Sequence, residues 1–251
     1  MEKRYQRNQF YITSAEQLKI KDSKILFLGA GLGSVIAECA LRLGFETITI
    51  IDNGVVEVSD LCWQNYNESD VGKSRAESLK RRLEDINTSV RIKVINPNLE
   101  SKDLEEIISI CDIVVDSLES TSHLSEIFNQ CCEKMDIPVI RPYNLGWAGL
   151  ATIAELQNDH LKVLRENENL GKDSVGFPKY IADYFRYWGA PQIWLEEMIN
   201  QFEKGSDNLN LSQLSAASWI VGGLVANLLF DIATGKDYKK IPQFYFLTAK
   251  R

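Results

Sequence analysis

Two stretches of this chain hold residue types whose spacing could do chemistry. From Ile25 to Ser34 the sequence reads ILFLGAGLGS, with Gly29, Gly31 and Gly33 between an apolar run and a helical pattern. Glycines at such a turn permit positive φ and let backbone approach a phosphate. The helix that follows offers unpaired N–H groups and the positive end of its dipole. Asp52 closes the next β-branched run, TITII, at the distance where an acidic residue meets a ribose hydroxyl in such units. The glycine spacing is GxGxG rather than a full GxGxxG, and Asp52 suits NAD as well as ATP. Without a ligand, the same residues read as a packing turn and a strand-end cap.

The second stretch is RPYNLGWAG (141–149), placed after an apolar strand pattern on the side where ligands enter such sheets. Arg141, Tyr143 and Asn144 could orient a substrate carboxylate there, or satisfy the backbone of a loop. His123 and His160 fall in different elements and read as surface or helix-end residues. The five cysteines, Cys39, Cys62, Cys111, Cys131 and Cys132, form no CxxC pair and lie mostly in apolar segments. Reduced thiols in a cytoplasmic protein are expected, with no zinc site. Cys62 has no adjacent base and reads as inert. The aromatic run YIADYFRYW (180–188) reads as packing or a dimer interface, or as the cover of a peptide groove. KRRLED (80–85) reads as a solvated helix face with ion pairs.

These residues need elements to position them. KILFL (24–28) predicts a buried parallel strand. Gly33 to Leu43 has helical spacing, with Val35, Ile36, Cys39, Ala40 and Leu43 on one face and Gly44 as the stop. The alternation continues: strand 47–51, amphipathic helix 71–86, strand 90–95, helix 103–110, strand 112–116, helix 123–135, strand 137–141. Such a pattern predicts an α/β fold, Rossmann-like and doubly wound around a mostly parallel sheet. After Arg141 it changes to an antiparallel and helical elaboration. Segments 149–156 and 160–164 read as paired antiparallel strands, 178–202 as helices, 211–235 as one long buried helix, and 243–247 as a final strand.

With 251 residues, 45% hydrophobic and 25% charged, the chain suits one large globular domain. A net charge of −7 argues against a basic nucleic-acid-binding face. The N-terminal MEKRYQRNQF is too polar for a secretory signal, and the apolar run 219–230 reads as too short to cross a bilayer. No membrane or nucleic-acid partner is expected.

Several longer stretches carry a family resemblance. RYQRNQFYITSAEQLKIKDSKILFLGAGLGS resembles an opening RYxRQ arm followed by a glycine-rich strand turn. LGFETITIIDNGVVEVSDLCWQNY is similar to a D.D…sNLnRQ segment, and DVGKSRAESLKRRLEDIN to a basic helix ending in Asn. DIVVDSLES stands where a D.vvDatDn motif would be, and a long helix ends in DIATGK. The chain resembles, over most of its length, the ThiF/MoeB/HesA family, the bacterial relatives of ubiquitin-activating enzymes.

The resemblance implies one domain over residues 1–251: a helical arm to 23, a nucleotide-binding core over 24–141, and a substrate and dimerisation part over 142–251. It implies a homodimeric, ATP- and Mg2+-dependent adenylyltransferase acting on the carboxylate of a small β-grasp protein, a peptide or a metabolite. A carboxylate is a poor nucleophile and a triphosphate repels it, so cations must neutralise charge and hold the reactants in line. Carried over by position, Arg7 serves the partner subunit's ATP, Asp52 binds ribose, and Gln64 and Lys73 belong to the nucleotide site. Arg75 stands in the place of a catalytic lysine, and Glu119 with Asp116 attends the metal. Three positions depart from the motif: Trp63 replaces a phosphate-contacting arginine, Gly54 an acid and Asp60 an asparagine. Lys73, Arg42 and Arg141 are candidates to replace the missing cation. Lacking any cysteine after Cys132, the chain is not expected to form a thioester. The alternative reading is a catalytically impaired subunit that is a scaffold, or an arginine donor in a heterodimer with an active relative.

Overall fold

The computed structural model describes residues 2–95, 101–118, 123–154, 176–204 and 212–250. Among them, seven strands form one sheet: β1 (Lys24–Leu28), β2 (Thr47–Ile51), β3 (Arg91–Ile95), β4 (Ile113–Asp116), β5 (Val139–Asn144), β6 (Ala148–Ala154) and β7 (Tyr245–Thr248). Their order is β3-β2-β1-β4-β5-β6-β7. The first five run parallel, while β6 is antiparallel to both β5 and β7. The chain winds outward from β1 in one direction to β3, then returns past β1 to β4 and β5. The order therefore reverses between β1 and β4, where α/β sheets open a crevice for ligands.

The central strands β1, β2 and β4 are apolar over most of their length because both faces are covered. In β1, Ile25 and Phe27 enter one core while Leu26 and Leu28 enter the other, as the period of two requires. In β4, Ile113 and Val115 oppose Val114 in the same way. Each buried side chain of this size contributes about 1.5–3 kcal/mol relative to exposure. Helices α1 (Ser14–Asp22), α2 (Leu32–Leu43), α3 (Arg75–Ile86) and α8 (Ser215–Thr234) cover the first face; α4 (Ser101–Ser109) and α5 (His123–Met135) cover the second. Helices α6 (Gly176–Tyr187) and α7 (Ile193–Lys204) pack on β6 and β7 around Leu150, Ile181 and Leu195.

Several sequence expectations shift here. Helix α2 has no single buried face: Ser34, Ala37, Glu38 and Leu41 are buried alongside Val35, Ile36 and Ala40, whereas Cys39 and Leu43 are only partly covered. It lies between the sheet, α8 and α3, so its surroundings are protein on most sides. Helix α3 begins at Arg75 rather than at 71, because Ser74 accepts the Glu77 N–H as its cap. Strand β5 continues past Arg141 through Pro142, Tyr143 and Asn144, pairing with Ala151, Leu150 and Gly149, beyond the expected strand end at 141. The apolar run of 219–230 belongs to a 20-residue helix, long and apolar enough to cross a bilayer by composition alone. In this fold it is a core helix, with Val221, Val225, Leu228 and Leu229 buried in the first cluster. The expected strand at 160–164 and His160 lie outside the described residues, as does Glu119. The aromatic run of α6 splits by face: Tyr180 and Phe185 pack on the third core, while Tyr184, Tyr187 and Trp188 are exposed. The described cysteines are all free thiols, and burial pushes Cys111 up to about 11 and Cys132 up to about 12.

One buried charge joins α2 to α3. Glu38 is 4% exposed and accepts from Arg42 Nε at 2.8 Å, from Arg82 Nε at 2.6 Å and from the Asn65 amide. Burial alone would raise its pKa, but the two guanidinium groups and the amide outweigh it and hold the carboxyl below 4.5. A lowered folded pKa means that stability is present above the unfolded value and lost as pH falls through the folded one. Stability against denaturant should therefore fall below about pH 4.5, where the unfolded carboxyl begins to take up protons. Glu38→Gln should cost about 1–3 kcal/mol at pH 7 and flatten that acid limb. A wild-type acid limb retained by the variant would contradict this.

Candidate functional site

The carboxyl ends of β1, β2, β4 and β5 put four sequence positions in a row. Leu28 is level with Ile51 on one side and with Asp116 on the other, and Val115 is level with Ile140. Gly29, Asp52, Asp116 and Arg141 therefore border one edge of the sheet at the switch point. Gly29 has φ +87°, and a β-carbon there would lie 2.9 Å from Ser117 Oγ. Ser117 sits 2.9 Å from both the Leu28 and Gly29 carbonyl oxygens, so it pins the turn after β1 to the end of β4. The turn then enters α2 at Gly31, where no side chain caps the helix. Ser34 N–H bonds back to the Gly31 carbonyl at 3.1 Å, and the N–H groups ahead of it are left for an acceptor in the crevice, an anion above all.

Asp52 is the hub of this edge. Its Oδ2 accepts from Ala30 N–H at 2.7 Å, and its Oδ1 from Gly54 N–H at 2.6 Å and from Arg75 Nε at 3.2 Å. Arg75 is the first residue of α3 and folds back over Gly54. A β-carbon on Gly54 would lie 1.9 Å from Arg75 Nη2, so only glycine leaves room for the guanidinium in this position. The position expected to hold phosphate is thus engaged with the position expected to hold ribose. Lys73 sits in the loop just before α3 and is exposed, with the Lys73 carbonyl accepting from Val56 N–H at 2.9 Å.

Trp63 and Gln64 follow a short 3-10 turn (Val58–Cys62) and lie against the glycine turn. The Trp63 indole comes within 3.6 Å of where a Gly31 β-carbon would be, and Gln64 Nε2 within 3.5 Å. Gln64 donates to Asp60 Oδ1 at 2.6 Å, leaving its own Oε1 buried without a hydrogen-bond partner. Asp60 also accepts from Glu57 N–H at 2.9 Å, which ties the 3-10 turn together. An indole and an unfilled amide acceptor thus border the turn.

On the other side of the switch point, Asp116 lies 3.7 Å from Arg141 Nε, and its Oδ1 accepts from Leu118 N–H at 3.3 Å. Tyr143 packs on Phe177 at a ring distance of 4.3 Å, and burial pushes its phenol up. Asn144 is spent on the fold. Its amide donates to the Leu214 carbonyl and to Ser218 Oγ, each at 2.9 Å, and its Oδ1 accepts from Gly146 N–H. Arg141 is thus brought to the crevice, while Asn144 ties the end of β5 to the start of α8. Among the described residues no cluster of three or more His, Cys, Asp or Glu could hold a metal.

Arg7 and Arg42 are not brought to the glycine turn. Arg42 pairs with Glu38 near the C-terminus of α2, ten residues past Leu32, which is about 15 Å along the axis. That distance removes it as a substitute cation. Arg7 lies in a 3-10 turn (Lys3–Asn8) docked at the same far end of α2, where Asn8 Nδ2 donates to the Leu43 carbonyl at 2.9 Å. Two residues before it, buried Tyr5 donates to Glu46 Oε1 at 2.7 Å, which also accepts from Asn87 at 3.1 Å. The arm is anchored on both sides of Arg7 while Arg7 itself is exposed.

Sequence reasoning missed Ser117, Tyr66 and Asn65. Tyr66, whose phenol burial pushes up, places its hydroxyl 2.7 Å from the Ala30 carbonyl, and Asn65 N–H donates to Ser34 Oγ at 3.2 Å. Each reaches the turn only through the tertiary fold. The one local hint is that QNYN (64–67) sets polar residues directly behind the tryptophan.

The Arg75–Gly54 contact makes a prediction. Gly54→Ala should displace the guanidinium from Asp52 and cost about 1–2 kcal/mol in denaturant unfolding. In an Arg75→Ala background the same change should cost less than about 0.5 kcal/mol. Equal costs in both backgrounds would show that Arg75 does not occupy this space.

Comparison with known proteins places this geometry. The model of the ThiF family matches residues 5–250. The molybdopterin-synthase adenylyltransferase of Haemophilus influenzae is 33% identical over 159 residues, covering 60% of this chain and 65% of that protein. The adenylyltransferase and sulfurtransferase MOCS3 of Dictyostelium discoideum is 29% identical over 144 residues, 57% of this chain and 34% of that protein. The chain thus spans less than two thirds of either curated relative. The crystal structure of E. coli MccB with AMPCPP and MccA superposes with a TM-score of 0.67 at 18% identity, covering 100% of this chain and 72% of that one.

Proposed function

The chain belongs to the ThiF family, and from that premise we propose that it is an ATP-dependent adenylyltransferase. Its substrate is a carboxylate on a small β-grasp protein, a peptide or a metabolite, and its product an acyl adenylate. The observation that carries this reading is the uncapped N-terminus of α2 beside Asp52 at the switch point. It pairs an anion cradle with a hydroxyl-binding carboxylate, as a nucleotide requires. ATP supplies an electrophilic α-phosphorus with pyrophosphate as leaving group.

The chain's own residues then divide the work. The N–H groups at Gly31 and Gly33 would hold phosphate oxygens, and Asp52 would accept from a ribose hydroxyl. Three donors already reach Asp52, of about four that a carboxylate takes. Release of Arg75 would free Asp52 further and deliver a guanidinium to the phosphates. Arg141, beside Tyr143, faces the same edge and would attract the incoming carboxylate. Asp116, with Glu119, would attend Mg2+, which binds through one or two carboxylates and is otherwise held by phosphates. Arg7, exposed at the far end of α2, would serve the crevice of a second copy in a homodimer. Free thiols accord with a cytoplasmic setting. The curated relative named above is an adenylyltransferase and MccB was crystallised with AMPCPP and MccA, which supports nucleotide and peptide chemistry in this family.

Trp63 favours a second reading. It lies over Gly31 where the resemblance places an arginine, and losing one such contact typically costs several kcal/mol of transition-state stabilisation. A subunit of this kind would lend Arg7 to an active relative. Pyrophosphate exchange separates the two readings. On the adenylation reading, ATP-dependent exchange appears with a substrate carboxylate and falls about 100-fold in Asp52→Ala and in Arg7→Ala. Mixing those two variants restores part of it, because one mixed dimer pairs an intact Asp52 site with an intact Arg7. Absence of both exchange and ATP binding contradicts adenylation. A heterodimer in which only the partner turns over ATP establishes the second reading.

A further inference from the structure

A second group of polar side chains lies on the flank formed by α2 and α3, away from the carboxyl edge of the sheet. It borders an open cleft of about 370 Å³ lined by Arg42, Arg81, Arg82, Asp70, Asp85 and Ser78. The charges are sorted by depth. Asp70 on the wall and Glu38 behind it are each 4% exposed, whereas the side chains of Arg42, Arg81 and Arg82 are 59%, 51% and 30% exposed. Glu38 holds Arg42 and Arg82, and Asp70 holds Arg81. The carboxylates therefore face inward and fix the guanidinium groups at the mouth, where Asp85 is the remaining acid. These ion pairs use one or two nitrogens of each arginine, and a guanidinium carries five N–H donors.

An independent observation comes from the cleft wall. Ser78 is 1% exposed and its Oγ has no hydrogen-bond partner. A buried hydroxyl left unpaired is destabilising, and residues of this kind mark places where an acceptor arrives.

We propose that this cleft binds a phosphate group, at a site separate from the nucleotide crevice. Three pre-oriented guanidinium groups and a buried hydroxyl match the three or four oxygen acceptors of a tetrahedral oxyanion better than the two of a carboxylate. The site stands on these residues alone and does not depend on adenylation. The phosphate is either inorganic or the head of a small phosphate ester, for which the cleft has room.

Calorimetric titration of the whole protein with inorganic phosphate and with ribose 5-phosphate, at matched ionic strength, tests this. Saturable binding is expected, weakened about tenfold by Arg81→Gln or Arg42→Gln and several-fold by Ser78→Ala. A tighter ester assigns the site to a phosphate ester, and equal affinities assign it to the free ion. A tungstate soak should give an anomalous peak beside Arg42 and Arg81. No saturable binding of either probe overturns the proposal. So does binding that survives both arginine changes in protein whose thermal melt shows it folded, because that phosphate belongs to the glycine turn.

Discussion

The Asp52 carboxylate holds together three segments that are far apart in sequence: the turn after β1 through Ala30, the loop after β2 through Gly54, and the start of α3 through Arg75. A buried carboxylate needs donors, and here each donor is a piece of the crevice wall. Its position follows from the sheet, since Asp52 is the residue just past the β2 end that is level with Leu28. The glycine turn, the helix N-terminus and the first basic residue of α3 are all placed by this one group. Removing the charge would loosen three walls at once.

The same hub explains how this chain departs from its family pattern without losing the frame. Where the resemblance places an acid, Gly54 leaves space that the Arg75 guanidinium fills. At position 63, where the resemblance places a cation, an indole packs on Gly31. The crevice has a helix N-terminus and the Asp52 carboxylate at its edge, while its positive charge is held in ion pairs, Arg75 to Asp52 and Arg141 to Asp116. A ligand with several negative charges has a reason to break such pairs, because it offers each guanidinium more acceptors than one carboxylate does.

Much of the frame was legible before any coordinates. Strands β1, β2 and β4 announce themselves as short apolar or β-branched runs, and the glycines and Asp52 fall at carboxyl ends because each follows directly in sequence on the strand that carries it. What was not legible depends on side chains crossing between elements. Glu38 looks like an ordinary helical glutamate until Arg82 reaches it from α3. The residues at 142–144 look like a loop because Pro and Asn break strand patterns. β6 nonetheless pairs with them, and Pro142, which has no N–H to give, is tolerated in the ladder. KRRLED has the composition of a solvated face, and only the inward Asp70 and Glu38 show that its arginines are held in place. The role of Arg7 is carried by resemblance alone, since within one chain it stands at the wrong end of α2.

The nucleotide assignment is tested most directly by a crystal structure of the protein with a non-hydrolysable ATP analogue and Mg2+. The geometry predicts phosphate oxygens on the N–H groups at Gly31 and Gly33, a ribose hydroxyl on Asp52, and the Arg75 guanidinium moved from Asp52 toward the phosphates. An analogue bound away from the glycine turn, or a crevice that stays closed by Arg75 and Trp63 at saturating analogue, would contradict it.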